Sequence, residues 1–226
     1  MDTFDNIMII GTSHIAIESV REVERVIMDV KPKIIALELD HRRFLGLIRG
    51  KRTKWTLKGI RQLGVKGFIW NMVGAWIEKR LGKLVGMKPG AEMKKAIASA
   101  QKVKGDIALI DQDIALTLRK LTKEITWKEK WRFAKDIIKS VIYKHEKVKI
   151  DLTKVPDQAM IKKLTHQVKK RYPSLYKILI DERNVFMAKA LYKLKHQYPS
   201  EKIVAVIGAG HTEGTLKLLQ QYEKTK

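Results

Sequence analysis

The opening of the chain constrains its fold more than any other stretch. Residues 6–10 (NIMII) are apolar and stop at Gly11, which predicts a buried strand. Across 13–30 the apolar residues Ile17, Val20, Val23, Ile27 and Val30 recur at three- and four-residue steps, the period of an amphipathic helix. Pro32 ends that helix, and residues 33–39 (KIIALEL) read as a second buried strand. Strand, helix and strand in such short order make a βαβ unit, which implies parallel strands and a right-handed crossover.

The remainder extends this pattern. A basic helical segment starts at His41, Arg42 and Arg43. Residues 49–66 are basic with scattered glycines, and 67–86 carries Trp70, Trp76 and four glycines. The apolar part of 67–86 is too short to cross a bilayer. It reads either as a buried helical hairpin, with self-association into a homodimer as one outcome, or as an interfacial helix; the first is preferred. Pro89-Gly90 punctuates the chain. A helix is expected over 91–104, with Gly105 in the left-handed position that closes it. Residues 106–110 (DIALI) form a third strand ending at Asp111, and helices follow over 114–121, 127–143, 158–170 and 175–198. Residues 202–207 (KIVAVI) are the final strand, leading through Gly208-Ala209-Gly210-His211 into a closing helix. The expected architecture is one α/β domain over 1–226, with a mostly parallel central sheet flanked by helices. A helical insertion is expected at about 45–90 and a helical segment at about 112–172.

Charge and composition narrow the partners. The net charge of +23, from 47 basic and 24 acidic side chains, suits an anionic partner. The lysines are spread along the chain, so a lysine-rich proteome explains them equally well. Nucleic acid is not expected, whereas an anionic membrane surface is retained as a partner. There is no cysteine, which excludes disulfides and thiolate metal sites. The start of the chain lacks the basic, apolar pattern of a secretion signal, so a cytoplasmic location, or one peripheral to a membrane, is expected.

The polar outliers share one location. His14 follows the first strand, Glu38 sits at the end of the second, Asp111 ends the third and His211 follows the last. Ligand sites in open α/β sheets form outside the carboxyl ends of parallel strands. If the four strands share a direction, all four residues face one crevice. Glu38 interrupts an apolar run, so its carboxylate needs a metal, an arginine or a histidine as partner. A structural ion pair with Arg43 or Arg183 is the plainer alternative. Each histidine ends a Gly-x-x-His turn near a helix N-terminus, where the dipole disfavours protonation. Neutral imidazole suits metal ligation or general-base work. Two histidines and a carboxylate are a common set for a catalytic divalent ion. Gly208, Gly210 and Gly214 approach a dinucleotide fingerprint, but the strand is the last one, leaving no room for the acidic residue that should follow a second strand. Asp181-Glu182-Arg183 reads as a solvated helix face. His41, His145, His166 and His196 read as surface residues.

Six stretches in order resemble the TraB/PrgY family, which is common in archaea: GTSH with Ser19, PKIIALELDHRRF, PGAEMKKAIASA, ALIDQDIALTLRK, DERNVFMAKAL and IVAVIGAGHTEG. The resemblance implies kinship with Tiki proteases, erythromycin esterases and ChaN-like haem-binding proteins, and hence a ChaN- and erythromycin-esterase-like fold. It implies His14, Glu38 and His211 as the catalytic or metal-binding core. Arg43, Asp111, Glu182 and Arg183 become its polar support. Gln112 departs from the family pattern, which has arginine there, and puts a charged role at that position in doubt.

The expected function is a metal-dependent hydrolase acting on small peptides. His14, Glu38 and His211 would hold Mn²⁺, Co²⁺ or Zn²⁺, or would activate water directly. Arg183 or Arg43 would steady the oxyanion or bind a carboxylate. Arg43, Asp111, Glu182, Gly11, Gly208 and Gly210 are assigned to substrate binding. The alternative is a non-catalytic protein that sequesters a peptide or small ligand in the same crevice. A third reading has the basic surface, or the segment with Trp70 and Trp76, docking onto anionic membrane.

Overall fold

The computed structural model describes residues 1–12, 17–49, 90–142 and 158–225. The expected βαβ unit is present as β2 (Ile7–Thr12), α1 (Ile17–Val30) and β3 (Ile34–Leu37). A short β1 (Asp2–Phe4), absent from the expectation, pairs antiparallel with β2. After α2 (His41–Arg49) come α3 (Ala91–Val103) and β4 (Asp106–Leu109). Three helices follow: α4 (Ile114–Glu124), α5 (Trp127–Ile142) and α6 (Gln158–Arg171). The one-turn α7 (Pro173–Tyr176) runs through a π-helical turn (Lys177–Asp181) into α8 (Glu182–Gln197). β5 (Ile203–Gly208) and α9 (Ala209–Lys224) complete the fold. His14 and the segment 67–86 lie outside the described residues, as do His145 and all of the 45–90 insertion except the end of α2 and Gly90.

The sheet order is β1-β2-β5-β3-β4. All pairings except β1 with β2 are parallel, so the sheet is mostly parallel, as expected. β5 comes last among the described strands yet lies at the centre, between β2 and β3. Its six residues are all buried, which is why KIVAVI is a continuous apolar run rather than an alternating one. One face of the sheet packs Ile10, Ile35, Leu37, Val204 and Val206 under α1 and α3. The other packs Ile9, Ala36, Ala205 and Ile207 against Met187, Ala188 and Leu191 of α8 and Leu219 of α9. Each face is a layer of helices, the three-layer solution for a parallel sheet.

One expected cap is corrected. The left-handed residue that ends α3 is Lys104, at φ 56°, not Gly105. Gly105 answers a different demand: a Cβ there would lie 2.4 Å from Ile35 Cδ1 and 2.8 Å from the Pro32 carbonyl. The glycine lets the chain enter β4 hard against β3. Among the described residues, no helix is long and apolar enough to cross a membrane.

Candidate functional site at the carboxyl edge of the sheet

The parallel register places the strand ends side by side. Thr12 of β2 pairs with Gly208 of β5, and Leu37 of β3 pairs with Val206 of β5 and Leu109 of β4. Glu38, Asp111 and His211 therefore emerge at one edge, as the sequence implies. Glu38 is buried, and one of its oxygens accepts the Gly208 backbone N–H at the start of α9. A carboxylate at a helix N-terminus meets unpaired N–H groups and the positive end of the dipole. That contact accounts for half of Glu38.

Arg183 engages its other oxygen. Its Nη2 donates to Glu38 Oε1 and to Asp111 Oδ2 at 2.6 Å, and its Nε donates to Asp111 Oδ1 at 3.0 Å. Two parallel bonds to one carboxylate are the strong, orienting form of this pair. Burial alone would lower the Arg183 pKa, but Glu38 and Asp111 raise it overall, so the guanidinium stays charged. The remaining Nη1 faces His211 Nε2 at 3.2 Å and the Leu179 carbonyl at 3.5 Å. Leu179 belongs to the π-helical turn, a local widening often found at functional sites. Here it brings a carbonyl to the guanidinium immediately before Arg183 itself.

Arg43 closes the outer side. It donates to Asp111 and, through Nε, to Asp40 Oδ2 at 2.7 Å. Asp40 also caps α2, accepting the backbone N–H groups of Arg42 and Arg43 at 2.8 and 3.0 Å. Asp111 further accepts the Gln112 N–H at 2.8 Å. The Gln112 amide is buried and donates to Thr117 Oγ1 at 2.9 Å, so this position braces α4 and carries no charge into the cluster.

The tautomer of His211 follows from its neighbours. A guanidinium only donates, so Nε2 accepts from Arg183 and carries no proton. Nδ1 then bears the hydrogen and donates to Asn184 Oδ1 at 2.7 Å. Glu38 Oε1 lies 3.6 Å from Nε2. Asn184 is a site residue that the sequence reading misses, and Gly214 is its companion. A Cβ on Gly214 would lie 2.1 Å from Asn184 Nδ2, so the glycine allows α8 and α9 to approach until the amide reaches the imidazole.

The other expected residues divide. Gly11 is required for packing: a Cβ there would lie 2.9 Å from Thr212 Cγ2 and 3.4 Å from Ala209 Cα. Gly208 contributes its N–H to Glu38. Around Gly210 a Cβ would meet nothing within 4 Å among the described residues. Glu182 does not join the cluster; it pairs with Lys120 at 2.7 Å. His41, His166 and His196 are exposed.

Among the described residues no three His, Asp or Glu side chains gather as metal ligands. The two carboxylates at the strand ends are engaged by arginine, and the imidazole nitrogen nearest them faces a cation. Glu38 and His211, the two described members of the His14, Glu38 and His211 set, are thus both in contact with Arg183.

Such an edge defines a class: a three-layer α/β protein with an arginine-centred, histidine-bearing polar site at the carboxyl ends of its central strands. The chain belongs to the TraB/PrgY/gumN family, whose profile matches residues 2–226. It is 40% identical over 223 residues to an uncharacterised protein of Methanocaldococcus jannaschii, covering 96% of this chain and 54% of that protein. TraB domain-containing proteins of Mus musculus and Homo sapiens are 22% identical over 235 residues, covering 93% of this chain and 62% of each. The chain thus spans little more than half the length of these relatives.

Proposed function

We propose that the chain is a hydrolase acting on a small peptide or a similar acyl substrate, with His211 as general base and Arg183 as oxyanion donor. The observation that carries this reading is the Asn184–His211–Arg183 line. A base oriented through Nδ1 by a fixed acceptor, with Nε2 turned toward an electrophilic group, is the recurring layout of water- or nucleophile-activating sites. A substrate carbonyl oxygen that takes over the Arg183 Nη1 hydrogen bond releases Nε2. Water then attacks the carbonyl carbon while its proton passes to Nε2. The imidazolium is held by Asn184 and faces Glu38, and the proton returns to the leaving group as the acyl bond breaks. Arg43 is the more exposed of the two arginines and suits a substrate carboxylate at the mouth. Gly210, whose missing side chain would meet nothing among the described residues, gives that substrate backbone access.

The test is turnover of a fluorogenic peptide library by the wild type, His211→Ala and Asn184→Ala. Expected is activity that survives chelator treatment, is abolished in His211→Ala and is weakened in Asn184→Ala. Activity that disappears with chelator and returns with Mn²⁺, Co²⁺ or Zn²⁺ would replace this reading with a metal centre on His14, Glu38 and His211. Peptide binding without turnover in every condition would replace it with sequestration.

A further inference from the structure

The outer face of α5 carries a feature that the carboxyl-edge site does not use. Trp127 and Trp131 are one helical turn apart and are 73% and 67% exposed. Residues four apart lie on one helix face, so the two indoles form a single patch. The opposite side of the helix is committed to the protein. Glu129 is buried, accepting from Thr126 Oγ1 at 2.9 Å and the Ser174 N–H at 2.8 Å. Phe133 meets Tyr172 edge to face at 5.9 Å.

The patch is bordered by cations. Lys128 and Lys135 are exposed and, at about 100° per residue, fall beside Trp131 on the helix, and Lys130 Nζ lies 5.1 Å from the Trp127 ring centroid. The acids of α5 do not offset them. Glu129 is turned inward, and Asp136 is taken up by Arg171 and Tyr172. The end of α6 adjoins through Arg132 Nη1, which donates to the Arg171 carbonyl at 2.6 Å, and adds exposed Lys169 and Lys170.

We infer that the Trp127/Trp131 face of α5 seats this protein on a bilayer surface bearing anionic headgroups. Two features select this occupant. Indoles prefer the headgroup depth of a membrane, where flanking lysines lie along the apolar boundary and keep their charge in water. Tryptophan suits protein interfaces as well, but these are depleted of lysine, and lysines border this aromatic pair. Single-stranded nucleic acid is gripped in grooves, and these indoles stand on the convex outside of a helix. The surface differs from the 67–86 segment and does not depend on the hydrolase reading.

The experiment is co-sedimentation of the full chain with phosphatidylserine-containing and pure phosphatidylcholine vesicles, at low and near-physiological salt. Expected is binding to the anionic vesicles that weakens as salt rises. Trp127→Ser with Trp131→Ser should lower it by about tenfold or more with unchanged circular dichroism and melting. Lys128→Glu with Lys135→Glu should remove the preference for phosphatidylserine. Four results would each overturn the inference. The wild type could fail to bind at low salt, or the double tryptophan variant could bind as the wild type does. A short single-stranded RNA could bind more tightly and lose affinity in the same variants. Light scattering could show the tryptophan pair holding two copies together without vesicle binding.

Discussion

Helix α8 carries a largely buried cation near each end, and the two are held in different ways. Arg183 is 16% exposed and sits between Glu38 and Asp111, whose side chains are 2% and 1% exposed. Lys195, about 18 Å further along the helix, is 10% exposed, but its partners Asp5 and Glu223 are 62% and 41% exposed. At Lys195 only the cation is covered; its carboxylates keep their water, and Phe4 packs its ring 5.2 Å from the ammonium. That arrangement fastens the β1–β2 turn and the end of α9 to α8. At Arg183 every charge is desolvated, which is a poor route to stability. Charge is buried this fully where orientation of the groups matters more than their net contribution.

The sharpest way to break the contrast is to remove each cation. Arg183→Met removes the guanidinium shared by two buried carboxylates, leaving Arg43 on Asp111, and should cost about 3–5 kcal/mol in urea denaturation. Arg183→Lys keeps the charge but cannot reach Glu38, Asp111 and His211 together, so folding should recover more than turnover. His211→Ala should lower kcat by about 10²–10⁴-fold and cost about 1–3 kcal/mol by orphaning the Asn184 amide. A large stability loss without loss of turnover would make the imidazole structural.

Two glycines on α9 sharpen the comparison at smaller scale. Gly214→Ala drives a methyl into Asn184 and should cost about 1–3 kcal/mol, with turnover falling as the amide leaves His211. Gly210→Ala meets nothing among the described residues and should stabilise the helix by up to about 1 kcal/mol. If its turnover still drops, substrate lies against that position. Thermal melts and peptide assays on the pair separate the two effects.

The smallest effect belongs to Lys195→Met, at about 1 kcal/mol or less because its partners are solvated. Burial opposes its charge, but Glu223 and Asp5 raise its pKa overall. Its contribution is then complete below the ordinary lysine range and is lost as pH rises through the elevated folded value. Denaturation should show the wild type losing its advantage over Lys195→Met only at alkaline pH.

The carboxyl edge was legible because polar residues at the ends of apolar strands have few other reasons to be there. Glu38 demanded a partner, and Arg183 was already one of two arginines considered for it. Glu182, its neighbour in sequence, stands apart from the cluster because one residue turns a helix by about 100° and sends that side chain to Lys120. Asn184 escaped because its role depends on the close crossing of α8 and α9, which no local pattern encodes. Asp40 carried a readable signal as an N-cap residue before a helix, but its second bond, to Arg43, depends on where α2 docks. The central place of β5 was equally hidden. Periodicity identifies a strand and says nothing of its neighbours.

That central place has a consequence for how the protein is made. β2 and β3 are not bonded to each other; each pairs with β5. Ile7 pairs with Ile203 across most of the chain, and such distant pairings slow folding. During synthesis the early strands wait with a gap between them, and the strand that fills it also delivers Gly208 to Glu38 and His211 to Arg183. Site assembly and sheet closure are therefore one event. A chain interrupted before residue 203 has no weakened version of the site; it has none, so the polar machinery stays unassembled until the sheet that must support it is whole.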